Sequence, residues 1–142
     1  MARRIERSFF LAKDVAFIGY SRRQASFCAS VEKAFAGTGA RVYPVNPRGS
    51  VGGRTVYRSI AELPAVPDLA FIMTGKDKTK GIVEELAAKG SRRILFQSSM
   101  CVDDSTLEHC SELGIETAVA CPLMGLGGGF HRFHGFLAGV RA

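Results

Sequence analysis

Apolar residues along the chain fall into five short runs that lack the polar alternation of half-exposed strands. The runs are VAFIG (15–19), ARVYPV (40–45), DLAFIM (68–73), RRILFQ (92–97) and ETAVA (116–120). Runs of this length and composition are typical of strands that are covered on both faces. The pattern therefore predicts five buried strands.

Helical patterns lie between these runs. Two sets of apolar residues recur at helical spacing and are each followed by glycine: Phe27, Val31, Ala34 and Phe35 before GTG (37–39), and Ile82, Val83, Leu86 and Ala87 before Gly90. The segment STLE (105–108) matches a capping box and predicts that a third helix begins there. Between the second and third runs we expect a loop, a short extended piece at 55–57 and one helical turn.

Strands that alternate with helices predict parallel pairing through right-handed crossovers. We therefore expect an α/β fold: a doubly wound, five-stranded, mainly parallel, Rossmann-like sheet with helices on both faces. With the strands numbered along the chain, the expected order is 3-2-1-4-5. Residues 1–142 are expected to form a single domain, with an N-terminal helix at 1–11 and a tail segment at 122–142.

The charge balance favours an anionic ligand. The chain has 19 Lys and Arg against 13 Asp and Glu, a formal net charge of +6. The basic residues near the N-terminus are interpreted as a solvated helix face rather than a targeting peptide. No apolar run approaches the roughly 20 residues that cross a bilayer, and the four cysteines show no C-x-x-C spacing. We expect a cytoplasmic protein with reduced thiols and no association with membranes.

In a doubly wound sheet, ligands bind beyond the carboxyl ends of the strands, where the strand order reverses. The expected order puts this point between strands 1 and 4. After strand 1, Gly19, Ser21, Arg22 and Ser26 precede or begin a helix whose free N–H groups attract anions. The segment contains neither G-x-G-x-x-G nor a Walker lysine motif, so neither a standard dinucleotide loop nor a nucleoside triphosphatase is supported.

The turn after strand 2, PVNPRG, contains no acidic residue. In NAD-binding sheets this strand usually ends in Asp or Glu, whose carboxylate holds the ribose hydroxyls and would repel a ribose phosphate. Here Asn46 and Arg48 occupy the turn. The sequence therefore favours a nucleotide with a phosphorylated ribose, such as CoA or NADP.

The combined pattern resembles the CoA-binding domain family, small stand-alone proteins akin to the N-terminal module of ADP-forming acyl-CoA synthetases and of the succinyl-CoA ligase alpha subunit. The resemblance spans roughly residues 12–125 and rests on YPVNP, on the G-x-x-x-Y-x-S-I-x-x-L-P stretch at 53–64 and on Asp68 opening strand 3. It implies a cofactor site made from the loops after strands 1 to 4, comprising Gly19, Tyr20, Ser21, Arg22, Ser26, Pro44, Asn46, Pro47, Arg48, Thr74, Gly75, Lys76, Gln97, Ser98 and Ser99. The residues at 19–26 would hold the CoA phosphates or face them, and those at 44–48 would face the adenosine end. The residues at 74–76 and 97–99 would flank the adenine and the pantetheine arm. Tyr20 stands where the family often has alanine, and would crowd the pyrophosphate or stack on the ligand.

Other residue patterns do not indicate an active site. His131 and His134 are three residues apart without a third metal ligand and are interpreted as part of a packed tail. Cys101 and Cys121 follow strands 4 and 5 and are interpreted as small buried residues. No metal site, catalytic residue or nucleic-acid surface is predicted.

The leading hypothesis is a module that binds CoA or acyl-CoA without catalytic machinery of its own. An NADP-binding oxidoreductase and a nucleotide-sensing module stay open as alternatives. A protein partner or a homo-oligomer also stays open.

Overall fold

The computed structural model describes residues 5–49, 56–126 and 140–141. Seven strands and four helices occur in these ranges: β1 (Ile5–Glu6), β2 (Asp14–Ile18), α1 (Ala25–Ala36), β3 (Arg41–Val45), β4 (Leu69–Ile72), α2 (Lys76–Lys89), β5 (Arg93–Phe96), α3 (Asp104–Glu112), β6 (Glu116–Val119), α4 (Pro122–Leu126) and β7 (Val140–Arg141). Strands β2 to β6 form one parallel sheet, and β1 pairs with β7 in a separate two-stranded sheet. The five predicted strands are the five strands of the main sheet, and the α/β fold class is confirmed.

The order of the main sheet is β3-β2-β4-β5-β6, so the predicted order 3-2-1-4-5 is wrong: the observed order is 2-1-3-4-5 in the same numbering. The exposure of the strands explains the difference. Strand β3 contains the exposed Arg41 and also Pro44, which cannot donate to a neighbouring strand and therefore suits an edge. Strand β4 is buried at all four positions, as expected of a strand with neighbours on both sides.

Alternate residues of β2 point into two separate cores. Val15 and Phe17 pack on the side covered by α1 and α4, whereas Ala16 and Ile18 pack on the side covered by α2 and α3. This period of two follows from the pleat of the strand. The prediction of helices on both faces of the sheet is therefore confirmed.

The N-terminal segment differs from the predicted helix at 1–11. Within its described part, strand β1 is followed by a 3-10 turn at Arg7–Phe10. The guanidinium of Arg93 donates to the carbonyls of Ser8 (3.2 Å) and Leu11 (3.0 Å), and Phe10 is fully buried. The long-range contacts with Arg93 explain why local composition alone did not predict this conformation.

Helix α3 begins earlier than the STLE motif predicts. Asp103 is the N-cap, and its carboxylate accepts a 2.8 Å hydrogen bond from the backbone N–H of Thr106. Ser105 lies inside the helix and is exposed. Aspartate and serine are similarly good N-caps, so the two candidates could not be separated by residue type.

The tail predicted at 122–142 is described only in α4 and in Val140–Arg141. His131 and His134 lie outside the described residues. Among the helices of the described ranges, none combines the length and apolar character needed to cross a membrane.

Candidate functional site

A cavity of about 670 Å³ lies at the carboxyl edge of the sheet, within the usual size range of small-molecule sites. Its lining comes from the ends of β2 and β3 and the turns after them, from residues 58–60, and from Thr74 and one face of α2. Strand β2 lies between β3 and β4, so the chain changes direction across the sheet at this point. The switch point is therefore between β2 and β4. The predicted position, between the first and fourth predicted strands (β2 and β5), is wrong.

Gly19 allows the turn after β2 to approach the turn after β4. Its φ is +93°, and a Cβ added there would lie 3.2 Å from the Cβ of Met73 and 3.3 Å from the N of Thr74. Only glycine adopts this conformation without strain and leaves room for the neighbouring backbone. The Gly19 N–H also donates to the carbonyl of Val45 at 3.3 Å, so this turn contacts both flanking strands.

Asn46 fixes the turn after β3 against the turn after β2. Its Nδ2 donates to the carbonyl of Tyr20 at 2.7 Å, while its Oδ1 accepts from the backbone N–H of Arg48 at 2.8 Å. Its backbone N–H donates to the carbonyl of Tyr57, which forms a parallel bridge with Val45. The side chain must both donate and accept, which asparagine can do and an ionised aspartate cannot.

The segment between β3 and β4 supplies one wall. Of the extended piece expected at 55–57, Tyr57 forms a bridge with Val45, and Thr55 lies outside the described residues. Ile60–Glu62 form the expected helical turn, which is of the 3-10 type. The Nζ of Lys89 donates to the carbonyls of Leu63 (2.9 Å) and Ala61 (3.3 Å), and thereby joins this turn to the last turn of α2.

Among the residues that the structure describes, four cations and one carboxylate line the cavity. The cations are Arg23, Arg48, Arg58 and Lys78, all of them exposed, and the carboxylate belongs to Glu85. Several like charges around one concave surface produce a local potential that attracts anions. The lining can therefore hold a ligand that carries more than one negative charge.

The inner surface of the cavity is apolar. It is formed by the side chains of Ile18, Val45 and Ile60, which are buried, and of Ile82, which is half-buried. A cavity with an apolar wall and charged groups at its rim suits a ligand that combines a flat or aliphatic part with anionic groups.

Comparison with known families decides the class of protein. Residues 13–126 match the family model described as CoA binding domain. The chain belongs to the CoA-binding domain family.

Solved structures share the fold of this CoA-binding domain. A redesigned version of the protein PH1109 has a TM-score of 0.73 at 24% identity, over 94% of this chain and 89% of the other. A hypothetical protein from Pyrococcus horikoshii OT3 has a TM-score of 0.72 at 24% identity, over 83% and 84% of the two chains. The dinucleotide-forming acetyl-coenzyme A synthetase 1 of Candidatus Korarchaeum cryptofilum, in complex with phosphate and ADP, has a TM-score of 0.64 at 19% identity, over 80% of this chain and 26% of the synthetase.

Of the fifteen predicted site residues, six are found in the described part of the cavity lining: Gly19, Ser21, Asn46, Pro47, Arg48 and Thr74. Gly75 and Lys76 follow Thr74 at the start of α2 and are exposed. Ser26 is exposed in the first turn of α1 and does not line the cavity. The backbone of Arg22 lies in a 3-10 turn (Arg22–Gln24) that precedes α1.

Tyr20 and Pro44 are buried and do not line the cavity. The ring of Tyr20 packs edge-on against Phe17 with centroids 5.1 Å apart, and only 6% of the residue is exposed. Its side chain therefore belongs to the core on the α1 side of the sheet, although its carbonyl anchors Asn46.

Gln97, Ser98 and Ser99 follow β5 and do not line this cavity. Strand β4 separates β5 from β2, so the turn after β5 is one strand farther from the switch point than expected. Ser98 and Gln97 instead surround Cys101, whose Sγ lies 4.0 Å from the Ser98 Oγ and 3.9 Å from the Gln97 Oε1.

Nine of the described lining residues were not among the predicted cofactor-binding residues: Ile18, Val45, Ile60, Arg23, Arg58, Ser59, Lys78, Ile82 and Glu85. The last three recur at i, i+4 and i+7 along α2, a spacing that places them on one helix face. The spacing is visible in the sequence, but its relation to the site depends on β4 being next to β2.

Two of the buried thiols, Cys28 and Cys110, have raised pKa values, which disfavours the reactive thiolate. Cys28, Cys101 and Cys110 are buried, and burial raises the pKa of Cys28 and raises the pKa of Cys110 to about 11. Within the described ranges, no group of three or more His, Cys, Asp or Glu side chains is arranged to hold a metal ion. His109 is paired with Glu84 of α2 and lies 3.6 Å from Glu112, on the helices behind the cavity.

Proposed function

We propose that this protein binds CoA, free or acylated, in the cavity at the switch point of its sheet. The observation that carries the proposal is the set of four cations around one apolar cleft, in a chain of the CoA-binding domain family. CoA combines a pyrophosphate and a ribose phosphate with a flat base and a largely uncharged arm. The charged rim and the apolar inner surface suit these parts.

The turn after β3 supports a ligand with a phosphorylated ribose. Its polar side chains at the cavity are Asn46 and Arg48. Arg58 also lines the cavity and lies beside this turn, since a Cβ added at Gly49 would be 3.4 Å from the Nε of Arg58. A carboxylate here would repel a ribose phosphate. We assign the ribose phosphate of CoA to this part of the site.

The turn after β2 and the start of α2 are proposed to hold the pyrophosphate. Ser21 and Arg23 line the cavity on one side, and Thr74 and Lys78 line it on the other. Gly19 keeps these two turns close enough to contact one group. Gly75 and Lys76 are close enough along the chain to contribute, whereas Ser26 and the Gln97–Ser99 turn would contact more distant parts of the ligand or none.

The proposal covers binding alone, in a cytoplasmic setting, and assigns no step of acyl transfer to this chain. The acetyl-coenzyme A synthetase with a similar fold is about four times longer than the part of it that this chain covers. NADP is the alternative ligand, because it also carries a phosphate on the ribose.

Thermal unfolding with CoA, dephospho-CoA, NADP and NAD in parallel tests the proposal. A ligand that binds only the native state stabilises it by about 2.7 kcal/mol at 100 times its Kd. We expect the largest rise in Tm with CoA, a smaller rise with dephospho-CoA and little with NAD. A rise with NADP but not with CoA would assign the site to the alternative ligand.

A further inference from the structure

Helix α2 presents one face to the cavity along two of its turns. Lys78, Ile82 and Glu85 all line the cavity and follow one another at i, i+4 and i+7. Lys78 lies near Thr74 at the carboxyl edge of the sheet, and Glu85 lies about 10 Å farther along the helix axis. One wall of the cavity therefore has a cation at one end and a carboxylate at the other.

The surface between these two ends is apolar. Ile82 lies between Lys78 and Glu85 on the same helix face, and Ile60 lines the cavity from the 3-10 turn that Lys89 joins to α2. Two aliphatic side chains on neighbouring elements can cover the faces of a flat ring. The span from Lys78 to Glu85 is comparable with that from the pyrophosphate, which is attached to the 5′ carbon of the ribose, to the far edge of the purine.

Among the charged side chains of the described lining, Glu85 is the exception, since the others favour anions. An ionised carboxylate accepts hydrogen bonds and cannot donate them. It therefore lowers the affinity for an anionic ligand unless the ligand presents an N–H group to it. The amino group of adenine is such a donor, and it lies at the end of the nucleotide opposite the phosphates. A base with a carbonyl at the same position would face Glu85 with a second acceptor.

We propose that Glu85 accepts a hydrogen bond from the amino group of the bound base and makes the site selective for an adenine nucleotide. The inference rests on the proposed function, since it requires the phosphates to lie at the cationic end. It extends that function by naming the residue that recognises the base.

The test compares CoA with the CoA analogue in which adenine is replaced by hypoxanthine. The two ligands carry the same phosphates and the same pantetheine arm, so the ratio of their Kd values reports on the base alone. By calorimetric titration we expect the wild type to prefer CoA roughly tenfold, as one charged hydrogen bond permits. The preference should fall to about twofold or less in Glu85→Ala and also in Glu85→Gln, whose amide can donate to the carbonyl of hypoxanthine.

Glu108→Ala is the matched control. Glu108 is exposed on α3 and does not line the cavity, and its removal changes the net charge by the same amount. Glu108→Ala should keep the tenfold preference for CoA. Circular dichroism should show that all variants are folded, since Glu85 and Glu108 are both exposed. Equal affinity of the wild type for both ligands, or an unchanged preference in Glu85→Ala, would overturn the inference while leaving CoA binding intact. Failure of the wild type to bind either ligand would overturn the proposed function and this inference together.

Discussion

Asn46 connects the two turns that carry most of the proposed phosphate contacts. Its side chain donates to the Tyr20 carbonyl and accepts from the Arg48 N–H, so it is fixed independently of any ligand. The absence of an acid in this turn therefore has a structural cause in addition to the proposed electrostatic one. Both causes predict that aspartate is a poor substitute.

Asn46→Asp should lower the free energy of unfolding by about 1–2 kcal/mol, because the donor to a half-buried carbonyl is lost and a carboxylate faces that carbonyl instead. It should also weaken CoA binding. Urea denaturation and calorimetric titration measure the two effects. Ser111→Asp makes the same change of charge at an exposed position of α3 outside the cavity and should leave CoA affinity nearly unchanged; equal losses of affinity in the two variants would contradict the role assigned to Asn46.

Gly19 and Gly39 allow backbone strain to be separated from crowding. Both have positive φ, +93° and +90°, but a Cβ at Gly39 would meet no atom within 4 Å, whereas one at Gly19 would crowd Met73 and Thr74. Substitution by alanine strains the backbone at both positions, by about 1 kcal/mol or more. Gly19→Ala should be the more destabilising in chemical denaturation, by a further 1 kcal/mol or so as the adjacent turns are forced apart. Similar losses would mean that the two turns can separate freely.

The raised pKa of Cys110 predicts that the free energy of unfolding falls at alkaline pH. Burial raises its pKa from 9.0 to about 11 in the folded protein. Between these values the unfolded state releases the thiol proton and the folded state retains it, so the stabilisation is complete below pH 9 and is lost as the pH rises toward 11. The wild type should lose roughly 2 kcal/mol more than Cys110→Ala over this interval, because each pKa unit corresponds to 1.36 kcal/mol. Parallel stability curves for the two proteins would contradict the raised pKa.

At the scale of elements, Lys89 connects α2 to the wall of the cavity. Its two hydrogen bonds hold the carbonyls of Ala61 and Leu63, directly after the residues that line the site. Lys89→Met keeps most of the aliphatic stem and removes the donors. It should lower stability by about 1 kcal/mol and weaken CoA binding several-fold, whereas Lys80→Met, at an exposed position of the same helix, should do neither. Unchanged CoA affinity in a folded Lys89→Met variant would show that the wall does not depend on this contact.

The elements were more predictable from the sequence than their arrangement. Runs such as DLAFIM are apolar at every position because both faces are covered, and this signal is local. The order of the strands depends on which strands pair with a neighbour on both sides and which lie at an edge of the sheet. Pro44 and the exposed Arg41 in β3, together with the uniform burial of β4, would have indicated the observed order.

The candidate site was predictable to the same extent. The turns after β2 and β3 were identified correctly as neighbours, because these strands pair directly. The α2 face that carries Lys78 and Glu85 was missed because β5, and not β4, was expected to lie beside β2. A 3-10 turn such as Arg7–Phe10 depends on contacts with Arg93, 82 to 85 positions away in sequence, which no local pattern contains.

At the scale of the molecule, the sheet brings together side chains from four separate segments. Arg23, Arg48, Arg58 and Lys78 span 55 positions of the chain and meet at one edge. The formal net charge of +6 is therefore partly concentrated where the strand order reverses. This placement links the fold to the proposed binding of CoA.

The most direct test of that link is calorimetric titration of CoA and dephospho-CoA into the wild type, Arg48→Ala and Arg92→Ala. Arg48 lines the cavity, whereas Arg92 is exposed just before β5 at the opposite edge of the sheet. We predict that the wild type binds CoA more tightly than dephospho-CoA, that Arg48→Ala loses roughly tenfold or more in affinity for CoA and far less for dephospho-CoA, and that Arg92→Ala resembles the wild type. Absence of CoA binding to the wild type, or equal losses for both arginine variants, would contradict the account.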